Sequence, residues 1–156
     1  MTYCAVALHH HTSAEILATV ESECVRRNLR LTPQRRRVLE LIAGSERPMK
    51  AYDLLDQLKK ELSSAAPPTV YRALDFLLKE GFVHRLESIN AFLVCPHPTQ
   101  AHPTQFLICD DCGVVQELDD KELSMRLFER VRAQGFAPVQ QMVEIHGHCA
   151  RCSTPS

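Results

Sequence analysis

Residues 67–81 read PPTVYRALDFLLKEG, and this segment decides the predicted fold. Its prolines suit the first turn of a helix, where a missing N–H costs nothing, and Gly81 is typical of a helix end. Apolar residues recur at i, i+3, i+4, i+7 and i+8, which predicts one buried face made of Val70, Ala73, Leu74, Leu77 and Leu78. The opposite face would then present Tyr71, Arg72, Asp75 and Lys79, which is chemistry suited to reading DNA.

The segments on either side complete a winged helix-turn-helix pattern. Three-residue and four-residue spacing of apolar side chains predicts earlier helices, and Thr32-Pro33 supplies a cap and a first helical proline for the second of them. Two β-rich runs follow Gly81, separated by the turn Ser88-Ile89-Asn90. The predicted elements around the central helix are helices at 14–28, 33–44 and 51–62 and strands at 82–87 and 91–95.

The rest of the chain predicts a small mixed α/β unit. The segment 96–103 contains three prolines and two histidines and is predicted to be a hinge loop. Strands at 105–109, 114–118 and 139–146 and a helix at 121–134 follow, and exposed edge strands favour pairing with a second copy. The predicted class is α+β: a winged-helix DNA-binding domain at 14–95 and a dimerisation and metal-binding domain at 104–156, after a disordered or frayed tail at 1–13 that contains His9, His10 and His11.

Charge is divided unevenly along the 156 residues. Residues 1–85 hold 13 Lys and Arg against 10 Asp and Glu, whereas residues 86–156 hold 5 against 9. Six arginines between Arg26 and Arg37 would suit a phosphate backbone, and a solvated helix face explains them equally well. No run is long and apolar enough for a membrane, and residues 1–14 lack the features of a secretion signal, so we expect a cytoplasmic protein.

Four of the seven cysteines form two C-x2-C pairs, Cys109-Asp-Asp-Cys112 and Cys149-Ala-Arg-Cys152. Two such knuckles supply a tetrahedral S4 shell for Zn²⁺, and four protein ligands leave no open position, so the predicted site is structural. Redox pairs are the competing interpretation. Neither pair lies between a strand and a helix in a βαβ context, which favours the metal.

A second candidate metal group consists of His84, Cys95, His102 and Glu117. Two nitrogens, one sulfur and one oxygen make a plausible tetrahedral zinc shell, and the thiolate disfavours Fe²⁺ and Mn²⁺. Spacing alone leaves other interpretations open, because a histidine on a wing strand is commonly a surface residue and Cys95 alone would be a core thiol. Competing ligands are His97, His146 and His148.

Together these motifs resemble the ferric uptake regulator superfamily, most closely its zinc uptake regulator branch. The likeness extends from about Leu17 to Cys152. The motifs that carry it, in the family's order, are Leu31-Thr-Pro-Gln-Arg35, Ala51-Tyr-Asp-Leu-Leu55, Pro67-Pro-Thr-Val-Tyr-Arg-Ala-Leu-Asp-Phe-Leu77, Gly81-Phe-Val-His84, Cys109-Asp-Asp-Cys-Gly113 and His146-Gly-His-Cys149.

The resemblance implies two zinc ions per chain, one structural in the Cys4 site and one sensed at His84, Cys95, His102 and Glu117. It also implies DNA contacts from Tyr52, Tyr71 and Arg72 and a homodimer that reads an inverted-repeat operator in double-stranded DNA. The implied activity is repression of zinc-uptake genes when the inter-domain site holds zinc.

One departure from the iron-responsive members concerns the linker, which in them commonly carries a His-His-Asp-His run. Here residues 95–102 read CPHPTQAH, which weakens an assignment to iron and leaves His97 competing with His102 as the ligand. An iron or peroxide sensor of the same superfamily remains the main alternative.

Two further alternatives belong to other classes of protein. One is a zinc enzyme with Glu117 as general base, and the other is a zinc-storage protein that never binds DNA. The sequence contains no H-E-x-x-H, G-x-S-x-G or glycine-rich phosphate loop, so we expect no catalysis and no small-molecule substrate. The basic first half and the face with Tyr71 and Arg72 argue against storage.

Overall fold

The computed structural model describes residues 12–98 and 102–153. These residues form two compact units, an N-terminal unit of 12–98 and a C-terminal unit of 102–153. His9–His11 and residues 99–101 of the predicted hinge lie outside the described residues. None of the described helices is both long and apolar enough to span a membrane.

The N-terminal unit consists of four helices and a hairpin, as the sequence predicts. Its elements are α1 (Ser13–Arg26), α2 (Pro33–Ala43), α3 (Ala51–Glu61), α4 (Pro67–Lys79), β1 (Val83–Leu86) and β2 (Ala91–Val94). Strands β1 and β2 pair antiparallel, and Met49 forms a bridge to Phe92 on β2. Asn90 closes the hairpin turn at φ 49°. This order and pairing make a winged helix-turn-helix, with the β1–β2 hairpin as the wing.

Helix α1 begins earlier than predicted, so the assignment of Thr12 and Ser13 to a frayed tail is wrong. The Thr12 hydroxyl accepts a hydrogen bond from the Glu15 amide, and the Glu15 carboxylate accepts one from the Thr12 amide. This capping box satisfies two backbone donors that a helix start otherwise leaves unpaired. Ser13 Oγ also donates to the Ala43 carbonyl at 2.8 Å, which joins the start of α1 to the end of α2.

The core of the N-terminal unit comes from the faces that periodicity predicts. Helix α4 buries Val70, Ala73, Leu74 and Leu77, whereas Leu78 is only partly buried against the same cluster. Cys24 is a core thiol, as expected, at 3% exposure. Because one side of α4 is buried in this way, its other side is left at the surface.

The C-terminal unit is a three-stranded sheet with one helix. Its elements are β3 (Thr104–Cys109), β4 (Val115–Glu117), α5 (Lys121–Ala133) and β5 (Met142–Gly147), and the strand order is β4-β3-β5. Strand β3 pairs antiparallel with β4 and parallel with β5. The last strand begins three residues later than predicted, because its pairing with β3 begins at Met142, and Val139 is wholly exposed. The observed fold confirms the predicted α+β class.

Candidate DNA-contacting helix and metal centres

Tyr71 and Arg72 lie on the surface side of α4, where the sequence predicts the DNA-reading face. Tyr71 is 52% exposed, so its ring is not packed into the core of the N-terminal unit. Arg72 is exposed as well, and its guanidinium forms no ion pair within the described part of the chain. Tyr52, in the first turn of α3, is 75% exposed. All three side chains are therefore available to a partner of the N-terminal unit.

Most of the arginines between residues 26 and 37 contact other side chains of the same protein. These intramolecular contacts favour the helix-face interpretation over a phosphate-binding patch. Arg26 pairs with Glu23 at 2.6 Å, Arg27 with Glu80, Arg36 with Glu21 and Glu40, and Arg37 with Glu40 and Glu61, while Arg35 covers the Phe76 ring at 3.8 Å. Arg30 is exposed, and its guanidinium forms no ion pair within residues 12–98. The number of arginines in the sequence therefore overestimates the positive charge that this surface offers to a phosphate.

The four predicted zinc cysteines come together in the C-terminal unit. Their sulfurs all lie within 4.8 Å of one another, and the Cys112 and Cys149 sulfurs are 3.8 Å apart. Sulfurs at about 2.3 Å from a central ion in a regular tetrahedron are separated by about 3.8 Å, so the observed pair fits a Zn–S4 shell. Cys109 is buried and the other three are partly buried. The donors are all soft thiols, which suits zinc.

Hydrogen bonding within this cluster pulls its thiol pKa values in opposite directions. Backbone amides of Cys112 and Cys149 donate toward the Cys109 sulfur and lower the pKa of that thiol. A hydrogen bond with the Cys149 side chain raises the pKa of Cys152 to about 12. One thiol of the cluster loses its proton more easily while a neighbour keeps its own, because adjacent thiolates repel one another when no cation lies between them. Metal binding must therefore displace protons from the cluster.

Two histidines that compete in the sequence as zinc ligands instead bind carboxylates inside the first knuckle. His146 Nδ1 lies 2.7 Å from Asp110 Oδ1, and His148 Nδ1 lies 2.7 Å from Asp111 Oδ2. The hydrogen bond that the Asp111 carboxylate accepts from the His148 ring raises the pKa of His148. These pairs join the knuckle at Cys109–Cys112 to the strand that leads into the second knuckle. The two consecutive aspartates between Cys109 and Cys112 are the local sequence signal for these pairs.

The first half of the second predicted metal group lies in the N-terminal unit. His84 is on wing strand β1, opposite Leu93, and Cys95 follows β2 directly. A ring nitrogen of His84 and the Cys95 sulfur lie within 4.8 Å of each other. Cys95 is 2% exposed, and its amide donates to the Phe82 carbonyl at 2.9 Å. The hairpin pairing thus holds one nitrogen and one sulfur donor side by side.

The second half lies in the C-terminal unit. His102 Nε2 is 3.4 Å from Glu117 Oε1, with the two side chains 22% and 13% exposed. Phe106 on β3 pairs with Glu117 at the end of β4. This pairing brings Glu117 near the start of β3, which follows His102 closely in the chain. His97, the competing loop histidine, belongs to the other unit and is exposed. Each unit therefore holds two of the four predicted ligands close together.

Comparison with known proteins identifies related chains. A model of the Ferric uptake regulator family matches residues 26–146. The Zinc uptake regulation protein of Escherichia coli (strain K12) is 44% identical over 144 residues, covering 90% of this chain and 83% of that protein.

Solved structures give the same result. A zinc uptake regulator complexed with zinc and DNA matches with a TM-score of 0.86 at 44% identity, covering 91% of this chain and 95% of that one. The crystal structure of holo XcZur matches with a TM-score of 0.83 at 49% identity, covering 91% and 99%. The shared fold and the level of identity both extend over most of this chain.

Proposed function

The chain belongs to the ferric uptake regulator family, and from this premise we propose that it is a zinc-responsive transcription regulator. It binds double-stranded DNA as a homodimer and represses zinc-uptake genes when zinc fills a regulatory site. The observation that carries the proposal is the division of His84, Cys95, His102 and Glu117 between two compact units, two ligands in each. A site that needs both units responds to metal by fixing one unit relative to the other.

The DNA-binding half of the proposal rests on α4. Arg72 suits a bidentate pair with guanine O6 and N7, and Tyr71 suits contact with a thymine methyl while its hydroxyl reaches a phosphate. Tyr52 on α3 adds a second aromatic contact from the same unit. Two copies related by a two-fold axis would read an inverted repeat.

Two zinc ions per chain are proposed, with different roles. Cys109, Cys112, Cys149 and Cys152 would hold the structural ion, which leaves no open position for chemistry. The regulatory ion would be held by one thiolate, two imidazoles and one carboxylate, those of Cys95, His84, His102 and Glu117. A bound zinc ion there supplies a cross-link between the wing and the start of β3. The protein then shifts toward the conformation that binds the operator.

Dimer formation is assigned to the C-terminal unit. Within residues 102–153, strand β5 lies at one side of the β4-β3-β5 sheet, and Ile145 on it is 46% exposed. Helix α5 leaves Leu123, Met125 and Leu127 at the surface, at 44%, 61% and 39% exposure. Exposed apolar side chains on the sheet and on the helix are the surface that we assign to contact with a second copy.

Competing functions make different predictions for the metal. An iron or peroxide sensor would bind Fe²⁺ or Mn²⁺ in preference to Zn²⁺, so metal competition separates it from the proposal. A zinc enzyme would show hydrolytic turnover that Glu117→Gln removes, and we expect none. A storage protein would bind no DNA at all. We further propose that the protein acts in the cytoplasm, where its DNA is found.

Zinc-dependent DNA binding tests the proposal directly. Gel-shift titrations on the upstream region of the chain's own gene would compare protein with only the Cys4 site filled and protein with both sites filled. We expect tight binding only when both are filled. Cys95→Ser should abolish the response, because it removes the one thiolate of the regulatory set.

A matched control is Cys24→Ala, which alters a buried cysteine of the same unit that belongs to no ligand set. It should keep the zinc response. DNA affinity that survives removal of regulatory zinc, or that survives Cys95→Ser, would contradict the proposal.

A further inference from the structure

Gln105 is the most deeply buried polar side chain of the C-terminal unit, at 1% exposure. It lies on β3, three residues after His102 and next to Phe106, the residue that pairs with Glu117. Its backbone carbonyl accepts a hydrogen bond from the Leu118 amide at 2.8 Å, just beyond Glu117. The backbone of Gln105 is therefore attached to the segment that carries the carboxylate ligand.

The side chain of Gln105 points to a different element. Its Nε2 donates to Ser124 Oγ at 2.6 Å and to the Asp120 carbonyl at 3.1 Å. Ser124 is the one buried residue of α5, and Asp120 caps the start of that helix by accepting from the Leu123 amide. Gln105 thus contacts the ligand-bearing strands through its backbone and α5 through its side chain.

Gln105 accepts no hydrogen bond at its buried Oε1 from the described residues. The polar contacts of its side chain within this part of the chain are therefore the two hydrogen bonds that Nε2 donates. Both of them reach the start of α5, so the side chain joins β3 to that end of the helix.

We propose that Gln105 is a positioning residue that couples metal binding at His102 and Glu117 to helix α5 through its hydrogen bond to Ser124. This inference rests on the proposed function, because it concerns the regulatory zinc site. Ligation by His102 and Glu117 stiffens both strand segments attached to Gln105, and the amide passes that constraint to the first turns of α5. Leu123, Met125 and Leu127, the exposed apolar residues around Ser124, are then held in fixed positions for a second copy.

Amide hydrogen exchange measures this coupling directly. In the full-length protein with the Cys4 site filled, adding regulatory zinc should slow exchange across residues 121–133 by about two- to tenfold, the range that one hydrogen bond supports. Gln105→Met, which keeps the shape but cannot donate, should bind the same amount of zinc and lose this zinc-dependent slowing. Ser124→Ala should do the same, and the double variant should lose no more than either single one.

The control is Gln116→Met, the same substitution at an exposed position one residue before Glu117. It should keep the wild-type response. A purely structural role for Gln105 would speed exchange in α5 equally with and without regulatory zinc, and that result would overturn the inference. The inference would also be overturned if hydrogen exchange in α5 of the wild-type protein did not change with regulatory zinc while DNA binding did. If wild-type DNA binding itself ignores zinc, the proposed function fails first, so the two failures are distinguishable.

Discussion

The guanidinium of Arg35 covers the ring of Phe76, 3.8 Å from the ring centroid, and its Nη1 donates to the Arg30 carbonyl at 2.6 Å. These contacts attach the loop before α2 to helix α4, which carries Tyr71 and Arg72. They also fix the backbone of Arg30, whose guanidinium forms no ion pair within residues 12–98. Among six neighbouring arginines, Arg30 is therefore the one we expect to meet a DNA phosphate.

Arg30→Gln should reduce the salt dependence of DNA binding. Each lost phosphate contact lowers the slope of log K against log salt by about 0.9, so a homodimer should lose about 1.8. Fluorescence anisotropy across a salt series gives the slope. Arg26→Gln is the matched control, because Arg26 is already paired with Glu23. Equal slopes for the two variants would count against the assignment.

Arg72→Ala should reduce discrimination between the operator and unrelated DNA. A good bidentate pair with guanine is worth about 1–3 kcal/mol against the wrong base, which corresponds to roughly 5- to 150-fold per half-site. Binding to unrelated DNA should change much less, since phosphate contacts dominate there. A parallel loss of affinity for both kinds of DNA would mean that Arg72 contacts only the backbone.

Cys149→Ser should unfold the C-terminal unit and leave the N-terminal unit folded. Structural zinc in a Cys4 site contributes on the order of 10 kcal/mol to folding, and one lost thiolate removes most of that binding. Circular dichroism with zinc analysis would show one ion fewer per chain and a lost thermal transition. Retention of the structural zinc together with an unchanged melting profile would disprove a structural role.

Leu74→Ala should destabilise the N-terminal unit by about 2–5 kcal/mol, because Leu74 is 1% exposed and its removal leaves a cavity. Tyr71→Ala, three residues earlier on the exposed side of the same helix, should change stability by much less while weakening DNA binding. Urea unfolding of both variants measures the contrast. Similar losses of stability would mean that Tyr71 belongs to the core.

The sequence predicts the helices well because their caps and periodicity are local. Thr32-Pro33 and Gly81 mark helix ends through backbone chemistry that depends on few neighbours. The predicted start of β5 is three residues too early, because nothing local in Val139-Gln140-Gln141 excludes a strand and only pairing with β3, which begins at Met142, decides where the strand starts. Pairing partners are distant in sequence, and no local pattern encodes them.

It is harder to predict from the sequence which charged side chains remain available to a binding partner. The pairing of Arg27 with Glu80 and of Arg37 with Glu61 joins residues that lie far apart in the chain. A count of charges cannot foresee such neutralisation. The C-x2-C spacing, by contrast, restricts both knuckles so tightly that the approach of the four sulfurs could be expected from the sequence.

The link between Ser13 and Ala43 bears on how the N-terminal unit should be produced in isolation. A shortened protein that starts at Ala14 would lack the Thr12 cap and the Ser13 hydroxyl, so both hydrogen bonds that fasten the start of the first helix would be lost. Fragments for binding or crystallisation work should therefore keep Thr12, even though the sequence pattern assigns that residue to a disordered or frayed tail.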